Sequence, residues 1–296
     1  MSKILVSGLV NVETTCRIGQ FPIDYQPIDY NFFGVNSAVA GVGFNVAKAL
    51  HSLGDIVEVA TLTGEDVLAD VVRNELKSIN ADKLIQQKLK QTPQSVVLFD
   101  DEGKRRISCD LKDIQEKEYN FENIRIEDYD LVAACNINYS RPLLKKAKKA
   151  GIKICTDVHV LSNVEDEYNK EFMEYADILF LNNEAVIGCE KQLLQDLSQR
   201  YHNEIIVMGC GNRGAIMYAR ENETENQYYE QSAVVTDKII NTVGAGDALF
   251  SAFVSLYANG YSPLDSLTLA QKFAAYKIGF DGAAKGFLTM KELVEL

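Results

Sequence analysis

The sequence predicts an α/β fold with a mostly parallel central sheet and helices on both faces. Three observations carry that prediction. Apolar runs of strand length alternate with helix-length segments through most of the chain, the pattern of parallel strands joined by crossover helices. Polar residues fall at three successive strand ends: Asn136 and Asn138, then Asp157 and His159, then Asn182, Asn183 and Glu184. A ligand site at the carboxyl edge of an open sheet needs that placement. Finally, Asn241-Thr242-Val243-Gly244-Ala245-Gly246-Asp247 follows an extended-looking run, Val234 to Ile240, and opens an apolar run, Ala248 to Ala258. Small residues at helical spacing (Ala248, Ser251, Ala252, Ser255) mark that second run as a helix, and Gly260 is its stop.

Taken in order, Lys3 to Gly8 reads as a buried strand. Beyond it Asn11 and Glu13 alternate with Val10 and Val12, which points both polar side chains to one face; the plainer alternative is an ordinary polar strand end. Thr14 to Ala40 carries Phe21, Tyr25, Tyr30, Phe32 and Phe33 together with Pro22 and Pro27. It is either a long loop or a set of short twisted strands. Ala40-Gly41-Val42-Gly43-Phe44-Asn45 leads into a helix over Val46 to Leu53, ended by Gly54. Asn45 at its start either offers a donor and an acceptor to a ligand hydroxyl or simply caps the helix. Ile56 to Thr61 reads as a strand and Val67 to Leu76 as a helix. Ser95 to Phe99 and Lys104 to Ser108, joined by Asp100-Asp101-Glu102-Gly103, read as a hairpin.

Alternation resumes after an acidic loop, Asp110 to Asp130. Leu131 to Cys135 is a strand, Ser140 to Lys149 a helix and Ile152 to Asp157 a strand. A helix around Tyr168 to Tyr175 and a strand over Asp177 to Leu181 follow. Strands Ile205 to Met208 and Ala215 to Ala219 flank Gly209-Cys210-Gly211-Asn212-Arg213-Gly214, and Leu267 to Phe280 is a further helix.

Composition narrows the classes of function. The chain has 296 residues, which suits one large α/β domain or two small ones. Its 47% hydrophobic content supports a substantial core. A net charge of −12 with no basic block argues against nucleic-acid and anionic-membrane binding. No apolar run approaches a membrane-spanning length, and Met1-Ser2-Lys3 followed by Ile4-Leu5-Val6 is too soon interrupted for a signal peptide. The six cysteines are far apart with no C-x-x-C pair, and there are three His. Zinc and a disulfide framework are therefore not expected, and a reducing cytoplasm is the simplest setting.

The glycine-rich stretch has a specific chemistry. The first turn of a helix leaves N–H groups without intrahelical partners and carries partial positive charge. Gly244 and Gly246 remove side-chain bulk around Ala245, so a phosphoryl group can approach the backbone. Asp247 stands at the mouth of that anion hole. A carboxylate there can accept an acceptor hydroxyl's proton during phosphoryl transfer; a helix start with a capping Asp is the alternative.

Asn241 to Asp247 resembles the D-T-x-G-A-G-D signature of the ribokinase-like (PfkB) carbohydrate kinases, with Asn241 in the place of Asp. Gly41 and Asn45 resemble the family's G-G-x-x-x-N, with Ala40 for the first Gly. Gly8 and Glu13 are similar to its G-x-x-x-x-D, with Glu for Asp. Gly64 and Asp66 match G-x-D, with Ala69 for the later Gly, and Arg105 or Arg106 matches G-x-R loosely. Asp157-Val158-His159 resembles D-x-N with His for Asn. Glu184 fits the Glu of N-x-x-E, but Leu181 stands where the Asn belongs. Gly211 and Gly214 match T-x-G-x-x-G, with Gly209 for Thr.

The resemblance implies a single ribokinase-like, three-layer α/β domain over 1–296, with a small β lid from segments of about 14–40 and 92–111. It implies ATP-dependent phosphorylation of a hydroxymethyl group on a small sugar-like molecule. Asp247 would be the base and Gly244, Ala245 and Gly246 the anion hole. Glu13, Asn11, Gly41 and Asn45 would hold the acceptor. Gly209, Gly211, Gly214 and Thr242 would bed the nucleotide, with the 267–280 helix walling the adenine pocket. Glu184 would act on Mg2+ through water. The monovalent cation that some family members bind uses the Asp and the third residue of D-T-T; Asn241 and Val243 stand there and put that ion in doubt. Pairing of lids into a homodimer is implied as well. Two alternatives stand beside the sugar kinase: a nucleoside kinase of pseudouridine or adenosine type, whose base the lid aromatics would stack, and a non-catalytic ligand-binding regulator.

Overall fold

A computed structural model describes residues 1–102, 104–220, 226–236 and 238–296, and the side chain of Asn226 lies outside the description. In chain order the elements are β1 (Lys3–Ser7), β2 (Asn11–Arg17), β3 (Val35–Ala40), α1 (Val42–Ser52), β4 (Ile56–Thr63), α2 (Val67–Ser78), β5 (Ile85–Gln87), β6 (Gln94–Phe99) and β7 (Arg105–Asp110). Then come β8 (Leu131–Ala134), α3 (Arg141–Ala150), β9 (Lys153–Val160), α4 (Lys170–Tyr175), β10 (Ile178–Asn182), α5 (Glu190–Tyr201), β11 (Ile205–Gly209), β12 (Ala215–Arg220) and β13 (Asn226–Gln231). The chain ends with α6 (Ala245–Ala258), α7 (Pro263–Lys277) and α8 (Met290–Glu295).

The main sheet runs β13-β12-β11-β10-β9-β8-β1-β4-β5. From β5 to β11 neighbouring strands are parallel, and β12 and β13 add an antiparallel edge. Both faces are covered, which is why the strands read as continuous apolar runs rather than as alternating ones. Period two still decides which layer each side chain enters. Ile4 and Val6 pack with α1, α2, α6 and α7 on one side, whereas Leu5 packs with α3, α4 and α5 on the other. The α6 helix lies deep in the first layer, with Phe180 of β10 edge-on to Phe250 and Phe253 at 5.1 and 5.3 Å between centroids.

A second sheet of four strands, β3-β2-β6-β7, stands apart from the first. Glu13 is registered with Ala38 on one side and Ser95 on the other. The segments 14–40 and 92–111 supply most of it, and between β2 and β3 they leave Tyr25, Tyr30, Phe32 and Phe33 exposed.

Several expectations need correction. Helix α1 starts four residues before Val46, with Gly41 as its N-cap at φ 96°. Asn45 is therefore not a cap; it lies inside the first turn, because the glycines let the chain enter the helix earlier. The described residues of Val234 to Ile240 form no strand; instead Ile240 and Asn241 donate their N–H groups to the Ile278 carbonyl. Asp237 of that run, and Gly103 of the β6–β7 turn, lie outside the described residues. Helix α7 begins at Pro263, capped by the Ser262 side chain. All six cysteines are free, and among the described residues no helix is long and apolar enough to cross a membrane.

Candidate active site

The core of the site is the N-terminus of α6. Gly244 caps it at φ 78°, and no side chain caps it. The N–H groups at the start of such a helix have no intrahelical partners. A Cβ on Gly244 would lie 2.7 Å from the Ala283 carbonyl oxygen, so that position excludes a side chain by space as well as by torsion. Gly246 differs: a Cβ there would meet nothing within 4 Å, so its bareness keeps the mouth open rather than the fold intact.

Asp247 sits in the first turn, half-buried. Nδ2 of Asn45 donates to its Oδ2 at 2.7 Å, and Ser251 Oγ donates to its backbone carbonyl at 2.6 Å. Burial pushes the Asp247 carboxyl above the usual aspartate range; the Asn45 amide, His159 and Lys277 partly offset this, and Asp157 adds to it. A carboxylate made more basic by desolvation yet still held by an amide is suited to take a proton.

The acceptor side is built on backbone crowding. A Cβ on Gly41 would lie 2.5 Å from the Leu9 carbonyl oxygen, and one on Gly43 2.6 Å from that of Gly8. Bare backbone thus lets α1 abut the loop after β1. From there Asn11 Nδ2 donates to Ser95 Oγ at 3.0 Å, and Ser95 Oγ donates to Glu13 Oε2 at 3.2 Å. Asn11 Oδ1 and Asn45 Oδ1 are buried and accept no hydrogen bond. Buried acceptors are normally paired, so these two oxygens suit the hydroxyls of a ligand. Ser95 had no motif to reveal it; cross-strand pairing alone brings it to Glu13.

At the other end, Gly209 closes β11 between Asn182 and Ala215. A Cβ on Gly209 would lie 3.9 Å from Leu249 Cδ2, which places this edge against the first turns of α6. Cys210 N–H donates to the Gly214 carbonyl at 2.7 Å to close the β11–β12 turn. Gly211 (φ 59°) lies within it, and Gly214 takes φ 99° at a point where a Cβ would collide with the backbone of Gln231 and Ala233. Thr242 is exposed, and its carbonyl accepts from Ala245 N–H at 3.2 Å.

The neighbouring loop turns on Glu190, which the sequence did not reveal. Asn183 Nδ2 and Gly188 N–H donate to its carboxylate at 3.0 and 2.9 Å, and Arg213 pairs with it. The Arg213 guanidinium holds the Glu190 carboxyl down at about 2. This cluster ties the loop after β10 to the β11–β12 turn. Glu184 is exposed, its N–H donating to Asn182 Oδ1 at 3.0 Å.

The family model described as pfkB family carbohydrate kinase matches residues 2–289. The chain belongs to that family. Among known relatives, this kinase is 26% identical to the fructosamine kinase FrlD of Bacillus subtilis over 277 residues, 90% of this chain and 91% of that one. It is 22% identical to a nucleoside kinase of Methanocaldococcus jannaschii, covering 100% and 96% of the two chains. The microbiome-derived acarbose kinase Mak1 shares its fold, with a TM-score of 0.89 at 23% identity over 100% of this chain and 98% of that one. The chain is thus a phosphotransferase with the ribokinase-like α/β fold.

In this kinase the predicted residues fall into three groups. Asp247, Asn45, Gly41, Asn11 and Glu13 are linked by hydrogen bonds or by close backbone approach. Gly209, Gly211 and Gly214 form one turn beside α6. Glu184 is in contact with neither group through any hydrogen bond of the described residues, and among those residues no three acidic, His or Cys side chains converge on a metal.

Proposed function

We propose that this chain transfers the γ-phosphoryl group of ATP to a hydroxymethyl group of a small sugar-like acceptor. The observation that carries the reading is the 2.7 Å hydrogen bond from Asn45, on the acceptor side, to Asp247 at the mouth of the anion hole. The acceptor oxygen attacks the γ-phosphorus, its proton passes to Asp247, and the bond from the γ-phosphorus to the bridging oxygen breaks to release ADP. The N–H groups of Gly244 and Gly246 hold the phosphoryl oxygens, where fixed dipoles stabilise charge without reorganising; that of Ala245, expected to join them, donates instead to the Thr242 carbonyl. Asn45 orients the Asp247 carboxylate. Glu13 and the unpaired oxygens of Asn11 and Asn45 bind acceptor hydroxyls, and the bare Gly41 lets the substrate lie against the backbone. Gly209, Gly211, Gly214 and Thr242 bed the nucleotide.

Mg2+ bound to the nucleotide would offset phosphate charge. Glu184 suits it as an exposed hard-oxygen ligand acting through water, since Mg2+ keeps several waters of its own. The small sheet acts as a lid that excludes water on closing. Its exposed aromatics make a second copy of the chain its partner; light scattering should give a dimer mass, and a monomer mass unchanged by substrate would remove the paired lid. The cytoplasm is the setting that reduced, free cysteines favour.

A nucleoside acceptor is the second reading, favoured by the exposed Tyr25, Tyr30, Phe32 and Phe33, which can stack a base. An ADP-release screen over sugars, amino sugars and nucleosides with ATP and Mg2+ decides. Turnover on sugars supports the first reading, and turnover confined to nucleosides the second. No turnover on any acceptor would leave a binding protein.

A further inference from the structure

The loop that carries the anion hole rests on a buried charge. Lys277, the last residue of α7, is 0% exposed. Its one hydrogen-bond partner among the described residues is the Val243 carbonyl, immediately before Gly244. Lysines are almost never fully buried unless paired, and here the carboxylates that face the ammonium are those of Asp247 and Asp281. Burial pushes the Lys277 ammonium down to about 8, with Asp247 and Asp281 acting against it.

The surrounding bonds explain why the charge sits there. Asn241 Oδ1 accepts from Val243 N–H at 2.9 Å, and Asn241 Nδ2 donates to Asp281 Oδ1 at 3.0 Å. The Ile278 carbonyl, one residue beyond Lys277, accepts from Ile240 N–H at 2.8 Å and Asn241 N–H at 3.1 Å. The segment 240–243 is therefore stitched to the end of α7, and its last carbonyl is taken by an ammonium. The resemblance drawn from the sequence places a monovalent cation beside this loop, on the residues at 241 and 243. The structure does not fit that ion: residue 241 is a neutral amide, and the carbonyl of 243 is occupied.

We infer that Lys277 is a positioning residue, a built-in cation that does the work of a dissociable monovalent ion, so that this kinase needs no such ion. The inference rests on the phosphotransfer reading above. A tethered ammonium holds the Val243 carbonyl and so fixes the turn that aims the α6 amides. It also keeps one positive charge next to a site where negative charge accumulates. Unlike an ion, it is present at every salt concentration.

The test has two readouts, turnover and thermal stability, measured in chlorides of potassium, ammonium, sodium and tetramethylammonium at constant ionic strength. The wild type should show the same kcat and Tm in all four. Lys277→Ala opens space beside the Val243 carbonyl. It should lose about 10²-fold in kcat, as for a disturbed oxyanion site, and regain both kcat and Tm saturably with potassium or ammonium but not with tetramethylammonium. Lys277→Met keeps the bulk without the charge; it should fold, lose kcat with smaller changes in KM, and respond to no ion. A wild type whose Tm or kcat rises saturably with potassium overturns the inference, as does a Lys277→Met variant with wild-type kcat. If no acceptor is ever phosphorylated, the phosphotransfer reading fails, and the Tm response of wild type and Lys277→Ala still decides whether Lys277 stands in for an ion.

Discussion

Replacing Asp247 by Asn removes the negative charge and the proton acceptor while keeping the side chain's outline. The amide oxygen of the new residue can still accept from Asn45 Nδ2, which bonds Asp247 at 2.7 Å in the wild type. The backbone bond from Ser251 Oγ is untouched. The fold and the nucleotide affinity should therefore persist. Loss of a positioned base lowers turnover by about 10²–10⁴-fold, equivalent to roughly 3–5 kcal/mol at ~1.36 kcal/mol per decade. Coupled ADP-release assays at saturating ATP and acceptor read kcat, and nucleotide titration reads the first substrate's affinity separately.

The pH dependence adds a second check. Burial raises the folded-state pKa of Asp247 above 3.8. Its contribution to stability is thus full below 3.8 and is lost as pH rises through the folded value. The stability of Asp247→Asn relative to wild type should accordingly improve from acid toward neutral pH. Wild-type turnover should rise with pH over that same limb, which the Asn variant should lack. An Asn variant with near wild-type kcat, or with the acid limb intact, would refute the assignment of the base.

Glu13→Ala should raise the acceptor KM far more than the ATP KM, since it strands ligand hydroxyls and Ser95 Oγ at roughly 1–3 kcal/mol; equal effects on both substrates would move Glu13 out of the acceptor site. Gly246→Ala should melt like wild type, because its Cβ meets nothing within 4 Å, yet lose kcat/KM; Gly244→Ala should lose stability too, with a Cβ 2.7 Å from the Ala283 oxygen and φ at 78°. Glu190→Gln should lower Tm at neutral pH by an amount worth about 1–3 kcal/mol for a charged hydrogen-bond partner. Because its carboxyl is held at about 2 against 4.5, that stability is present above 4.5 and is lost toward 2, so the gap between variant and wild type should close across that window.

Much of this molecule was legible without coordinates where the signal is local. The strand–helix alternation reports main-chain hydrogen bonding and burial within a few residues, so β1, β4 and the strands β8 to β12 lie close to where the apolar runs place them. Small residues before an apolar run marked the start of α6 for the same reason. The alternation of Asn11 and Glu13 with two valines likewise set their common face. What the sequence left open depends on segments far apart in the chain. The run Val234 to Ile240 looks extended but forms no strand among its described residues, and at its end the Ile240 N–H finds the Ile278 carbonyl just beyond α7. Glu190 and Arg213 meet only because two strand-end loops fold together. The bond between Asn45 and Asp247 spans 202 positions, and Lys277 reads as an ordinary basic helix end until packing buries it against the Val243 carbonyl. Local propensity decides which elements form. The environment of a charge or an amide, and hence its chemistry, is decided by which distant backbone and side chains pack around it.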